Sequence, residues 1–456
     1  MPEWKAPVIK AREAALRALV RVEQDCAYLN LALPSILEGL PGEERALAVR
    51  MARGTLQRLN TLDWALNLFL RRSLDTMTPW IRNLLRLGAY QALYLENVPS
   101  YALVDQSVRL ARRFGHRGVA GLVNAVLRRV AQNADQLPWP DRVSRPLEYI
   151  SLAHSHPRWM VSRALERFGP ERAENWCRAN NTIPPVTIRP NFLKTTSGDL
   201  FEVLRREGFT AETSQQVPGM LRISGPGSPA AAEAFRQGLF TIQGESSALV
   251  APLTGALPGD TVVDLCSAPG GKATHLAELT EDRGRIYAVE VNRNRLRLVE
   301  KAARRLGLNS IETVLADGRE IERCGLFEPD AVMVDAPCSG LGVIRRLPEI
   351  KWRRKEESLI EFQKLQLQLL DGAASILPPG GKLLYSVCTT EPEETGRVIE
   401  LFRHRRSDFE LYPLPPLLPR SIRDNEGVQN QSDTVFIWPH LHGLDGFFMA
   451  LLVKKG

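Results

Sequence analysis

The sequence predicts a multidomain chain: an all-helical domain over residues 1–140, a small α/β domain over 147–238, and a doubly wound α/β domain over 239–456. Three observations carry this. Apolar residues recur at i, i+3, i+4 and i+7 from residue 8 to about 132. A proline-rich stretch, NADQLPWPDRVSRP, follows at 133–146 and reads as a linker. From residue 239 short apolar runs alternate with helical patterns, as in a parallel sheet covered by helices.

The helical domain rests on AREAALRALVRVEQ, ERALAVRMARGTLQRLNTLDWALNLFL, PWIRNLLRLGAYQALYL and GVAGLVNAVLRRVAQN. Breaks such as LPGEE and NVPSYAL separate them. Arginines recur along these helices at 53, 58, 109, 112, 113, 117, 128 and 129. A solvated face and a nucleic-acid face both fit that pattern.

In the middle region, SHPRWMVSRALERFG and ERAENWCRANN carry helical patterns. PPVTIRPNFLK reads as a strand leaving a proline turn, and TSGDLFEVLRREGF as a helix opened by a Ser or Thr cap.

The third domain shows strands TVVDL (261–265), RIYAVE (285–290), IETVLAD (311–317), DAVMVD (330–335) and KLLYSVC (382–388). Helical runs KATHLAELT, NRLRLVEKAARRLG and SLIEFQKLQLQLLDGAASIL lie between them, and GFFMALLVKK suggests a final strand.

The net charge of +7 suits a polyanionic partner as well as an ordinary basic surface. No stretch approaches the roughly 20 apolar residues of a membrane helix. The charged start MPEWKAPVIKAREAAL has no apolar signal core, so a cytoplasmic location is expected. The six cysteines lack metal-ligand spacing, so no metal is expected.

The stretch VVDLCSAPGGKATHLAEL joins a strand to a helix through Gly270 and Gly271. Such a turn admits a ligand close to the backbone, at the carboxyl end of a strand. It is neither a dinucleotide fingerprint nor a phosphate loop. Asp264, Glu290, Asp317 and Asp335 fall at four successive strand ends. Any one of them reads as a cap or turn former; together they suit a nucleoside cofactor without phosphates, such as S-adenosylmethionine, with ribose hydroxyls on an acid.

Cys338 and Cys388 also stand at strand ends. C5 of cytosine is a poor nucleophile. A thiolate that adds at C6 activates it, and after methyl transfer the C5 proton and the thiol must leave. Two cysteines beside one aspartate suit that chemistry. From spacing, small cysteines packing behind strands explain them as well.

The stretches DLCSAPGGKATHLAEL, DAPCSGLGVIRRLPEIKWRR and LLYSVCTTEPEE together resemble the RNA cytosine-C5 methyltransferases of the Sun/RsmB branch. The likeness covers nearly the whole chain, with SHPRWMVSRALERFG, NNTIPPVTIRPNFLK, FTIQGESSALVAPL and HGLDGFF as further matching stretches. It implies a NusB-like helical RNA-binding front, a small RNA-binding subdomain and a Rossmann-like methyltransferase domain using S-adenosylmethionine. The implied reaction is C5 methylation of a cytosine in 16S ribosomal RNA, and the likeness suggests the position equivalent to cytosine 967 of that RNA. The implied partner is small-subunit ribosomal RNA, with no membrane, no metal and no evident obligate protein partner.

The resemblance implies roles at matching positions. Cys388 would be the nucleophile, Cys338 would assist product release, and Asp335 would contact base or cofactor. Cys266, Ser267, Ala268, Pro269, Gly270, Gly271 and Lys272 would wrap the methionine part of the cofactor. Glu290 would hold the ribose and Asp317 would lie at the adenine. Glu290 stands where many members have Asp, and Val387 where Thr is common.

The segment RRLPEIKWRRK (345–355) holds six Lys or Arg residues and one Trp. It reads as a solvated loop or as an RNA contact through Arg345, Arg346, Lys351, Trp352, Arg353 and Arg354. A non-catalytic ribosome assembly factor, a methyltransferase for another RNA such as tRNA, and a DNA-type enzyme with Cys338 as attacker are the competing readings.

Overall fold

The computed structural model describes residues 8–96, 98–225, 227–325, 328–414, 417–424 and 433–456. Residues 1–7 of the charged start on which the reading of no signal core rests lie outside them. The chain forms two compact units. The first comprises residues up to Thr182 together with Ile344–Arg353; the second comprises Ile183–Val343 and Arg354–Gly456.

The first unit is helical: Val8–Gln24, Leu29–Leu37, Gly42–Gln57, Leu59–Asn67, Pro79–Tyr94, Ser100–Phe114 and Arg117–Gln132, then Pro146–Ala153 and Arg158–Asn180. Their apolar stripes meet in a core that includes Leu16, Leu19, Met51, Leu62, Leu66 and Leu84. Gly169, at φ 74°, breaks the last helix ahead of Pro170, so the two helices expected there are distinct. Both belong to the first unit. The chain therefore divides after Thr182, where the sequence reading opened the small domain at 147.

The second unit begins with a four-stranded antiparallel sheet: β1 (Val186–Pro190), β2 (Thr210–Thr213), β3 (Leu221–Ser224) and β4 (Phe240–Ile242), in the order β2-β3-β1-β4. The helix Ser197–Arg206 contributes Leu200 and Leu204 to the small core beneath it. Thr196 caps that helix, its Oγ1 accepting from the Asp199 backbone at 3.1 Å.

The large sheet holds β5 (Thr261–Leu265), β6 (Arg285–Glu290), β7 (Ile311–Leu315), β8 (Ala331–Asp335), β9 (Lys382–Val387), β10 (Phe409–Tyr412), β11 (Thr434–Ile437) and β12 (Phe447–Lys454). Its order is β10-β12-β9-β8-β5-β6-β7, with β11 also on β12. The five strands β5 to β9 run parallel, as expected. β12 inserts antiparallel beside β9, and β10 and β11 pair antiparallel with it, so the sheet is mixed. The chain leaves β5 for one side and later crosses to β8 on the other; that switch point opens a crevice at the carboxyl ends of the strands.

The buried Arg189 of β1 forms a two-pronged bond with Glu278, at 2.8 and 3.0 Å. It ties the small sheet to the helix Gly271–Leu279, which starts at the glycine turn.

Candidate active site

The crevice is built from the turn after β5. Cys266 takes φ 64°, and the turn closes through the Gly270 backbone donating to Ser267 O at 2.8 Å. Gly270 lies at φ 104°, where a Cβ would come within 3.0 Å of Val299 Cα; only glycine fits. Ala268 is buried and Pro269 exposed. Arg295 donates to Ala268 O at 3.1 Å. Burial pushes the Cys266 thiol up to about 12, which makes it a packing residue rather than a reacting one.

Lys272, in the first turn of the next helix, donates to Asp335 Oδ2 at 2.7 Å. Asp335 Oδ1 accepts from Ser386 Oγ at 2.8 Å. Burial opposes the charge on Lys272, but Asp335, with smaller contributions from Cys388 and Asp264, outweighs it, so the net shift of the ammonium is upward.

Asp264 is fully buried, and neither of its carboxylate oxygens has a hydrogen-bond partner among the described residues. Burial and the neighbouring Asp335 push its carboxyl well above the ordinary range. Glu290 is buried; its Oε1 accepts from the Asn292 backbone at 3.1 Å, while Oε2 lies 3.5 Å from the Arg295 guanidinium and has no hydrogen bond among the described residues. The Ser267 hydroxyl is likewise buried and unpartnered. Such groups are costly unless something completes them. A ligand carrying hydroxyls and a cationic amino group would do so, and S-adenosylmethionine has both. The sequence reading counts Asp264 among the four strand-end acids without assigning it to the cofactor; its strand-end position is the available signal.

Asp317 is committed to Arg319, which donates from its backbone at 3.0 Å and from its guanidinium at 2.6 to 3.0 Å. That pairing holds its carboxyl below the ordinary value. Asp317 thereby caps the short helix Gly318–Cys324, the structural role that its sequence position also allows.

Cys338 and Cys388 come together, with Sγ atoms 3.3 Å apart. Cys388 follows β9, and its carbonyl accepts from the Gly342 backbone at 3.0 Å. Cys338 lies in the loop after β8. Its contact with Cys388, then burial, drives its thiol well above the ordinary value. The two strands that end in Asp335 and Val387 are parallel neighbours, with Asp335 opposite Ser386. That register brings a thiol pair beside a lysine-held aspartate.

The basic segment corrects the sequence reading. Lys351 is fully buried, and its Nζ donates to Gln57 O, Ser155 O and Asn181 Oδ1, each at 2.9 Å. Trp352 Nε1 donates to Leu56 O at 2.7 Å. Arg353 donates to Val22 O at 3.0 Å and Ala27 O at 2.6 Å. The buried Arg345 offers its carbonyl to Arg53. Leu56, Gln57 and Val22 lie in the last turns of two helices, where carbonyls lack intrahelical partners and the dipole favours cations. Lys351, Trp352 and Arg353 therefore cap helices of the first unit and are not held out for phosphates. Arg346 is half-buried. Arg354 belongs to the second unit and donates to Ser339 O at 2.7 Å, beside Cys338.

Among the described residues no group of His, Cys, Asp and Glu is arranged to hold a metal, and no helix is long and apolar enough to cross a membrane.

The site thus lies in an α/β domain with a mixed sheet, acids and a cysteine pair at its strand ends, and its class is that of the methyltransferases whose family model it matches. Family models agree: "16S rRNA methyltransferase RsmB/F" matches residues 254–453, the NusB family 9–132, and the RsmF/B-like ferredoxin-like domain 156–229. The chain is 35% identical to the probable ribosomal RNA small subunit methyltransferase B of Bacillus subtilis, over 98% of this chain and 99% of that one. It is 31% identical to the ribosomal RNA small subunit methyltransferase B of Cronobacter sakazakii, over 98% and 99%. The crystal structure of PH0851 superposes with a TM-score of 0.83 at 27% identity, over 99% of this chain and all of that one (100%). The chain belongs to the RsmB/F family of 16S rRNA methyltransferases.

Proposed function

We propose that the protein methylates C5 of a cytosine in small-subunit ribosomal RNA, with S-adenosylmethionine as donor and Cys388 as nucleophile. The observation that carries this reading is the thiol pair at 3.3 Å beside Asp335. When bound, S-adenosylmethionine supplies an electrophilic methyl group. Asp264, Glu290 and the turn from Cys266 to Lys272 would hold it, and Asp317 would lie toward the adenine.

Cys388 Sγ adds to C6 and makes C5 nucleophilic. Asp335 holds the base edge in the orientation that addition requires. Once C5 carries the methyl group, its proton must leave and the C6–Sγ bond must break. Water takes the C5 proton as the C6–Sγ bond breaks, and Cys338, whose thiol is held protonated by its contact with Cys388 and by burial, can give its proton to the departing Cys388 sulfur. A target base inside a helix would have to be unstacked to reach Cys388.

The test is a covalent trap. Wild type, Cys338→Ala and Cys388→Ala are incubated with small-subunit ribosomal RNA and labelled S-adenosylmethionine and resolved on denaturing gels. Cys338→Ala should accumulate a protein–RNA band, and Cys388→Ala should give neither band nor methylation. Reversed roles would make Cys338 the attacker, as in the DNA-type enzymes. Transfer to tRNA in place of ribosomal RNA would reassign the substrate, and RNA binding without transfer by any variant would favour an assembly factor.

A further inference from the structure

We propose that Glu394 is a positioning residue for this reaction: through Ser339 and Thr389 it sets the Cys338 loop against Cys388. The proposal rests on the two-cysteine reading above.

Glu394 is fully buried. Its Oε2 accepts from the Ser339 backbone at 2.8 Å and from Gln366 Nε2 at 3.1 Å, and its Oε1 accepts from Ser339 Oγ. Thr389 is a further hydrogen-bond partner, and all these groups are neutral. A carboxylate buried among neutral donors loses its hydration without an ion partner, and an apolar side chain of similar size would be the cheaper core residue. Burial indeed raises its carboxyl above the ordinary range.

What the carboxylate holds is specific. Ser339 adjoins Cys338, and Gln366 also donates to Pro337 O at 3.1 Å, so both neighbours of Cys338 are fixed from one side. Ser339 Oγ lies 3.1 Å from the Thr389 hydroxyl, and Thr389 adjoins Cys388. Tyr385 Oη, from β9, donates to Glu394 O at 2.7 Å and fixes the residue itself. The two cysteine-bearing loops thus share one buried polar clamp, in which geometry depends on every member being satisfied. A shift of about 1 Å in a reacting group costs on the order of a hundredfold in rate.

The test uses the full chain with Glu394→Gln and Ser339→Ala, the second removing only a hydroxyl in case the first fails to fold. One readout needs neither RNA nor cofactor. Diamide, an azo oxidant, takes the two thiol hydrogens onto its N=N bond and leaves an Sγ–Sγ bond between Cys338 and Cys388, which peptide mass mapping detects. The other readouts are methylation and S-adenosylmethionine affinity. Both variants should close the Cys338–Cys388 link more slowly than wild type and methylate RNA about tenfold more slowly, with cofactor affinity within about twofold of wild type. Linking at the wild-type rate would overturn the proposal. So would methylation and cofactor affinity falling in parallel with the melting temperature, which is what a merely structural residue would give. If wild type links but transfers no methyl group to cytosine, the functional reading fails, while the linking rates still decide the role of Glu394.

Discussion

Lys272 Nζ donates to Asp335 Oδ2 at 2.7 Å, joining the helix after β5 to the end of β8. The pair crosses the switch point of the sheet, and Ser386 on β9 holds the other oxygen of Asp335. Replacing Lys272 by Met removes a charge-assisted bond and frees the carboxylate to turn. Methylation by Lys272→Met should fall by about 10- to 100-fold, more than cofactor affinity does, since the bond orients a group at the reacting base. Parallel titrations of methylation rate and S-adenosylmethionine binding check this.

Asp264 is buried without a hydrogen-bond partner among the described residues, and its charge is disfavoured there. A cationic ligand favours the charged form. Binding should therefore release a proton, and affinity should weaken as pH falls through the raised pKa of Asp264. Calorimetry in two buffers of different ionisation enthalpy measures the proton release. Asp264→Asn should abolish that release and weaken binding by about tenfold.

Lys351 serves three oxygens in a site that excludes water. Lys351→Ala should strand those acceptors and destabilise the protein by about 3 kcal/mol. The salt dependence of RNA binding should keep its slope, because a side chain that touches no phosphate releases no counterion. Denaturation curves and RNA titrations at several salt concentrations separate the two roles.

His156 is fully buried, with Nδ1 2.7 Å from His154 O. Burial, and then the charge of Lys351, hold its pKa well below the ordinary 6.5. The unfolded chain binds this proton more readily than the folded one. The stability tied to neutral His156 is complete above about pH 6.5 and is lost as pH falls toward the folded value. The melting temperature should drop between about pH 7 and 5, less steeply in His156→Gln.

The helical character of the first unit, the five parallel strands and the acids at their ends were legible in the sequence, because periodicity of 3.6 or 2 and strand-end position are local properties of the chain; the helices Leu29–Leu37, Ser100–Phe114 and Pro146–Ala153 were not read individually. The two cysteines were legible as candidates because each follows closely on a strand. Other features depended on contacts between distant segments. The antiparallel insertion of β12 beside β9 follows from pairing, which a single strand pattern does not encode. Glu394, in a run of acids, gave no sign that it would be buried under Ser339. The segment from Arg345 to Arg353 was least legible: its charges read as a solvated loop or a phosphate contact, and Lys351 and Arg353 cap helix ends hundreds of residues away in sequence. By itself the sequence determined which elements form and which residue types stand at the strand ends. Only the tertiary structure decided which charges are spent inside the protein, because the partner of a buried charge is set by packing between segments and not by its neighbours along the chain.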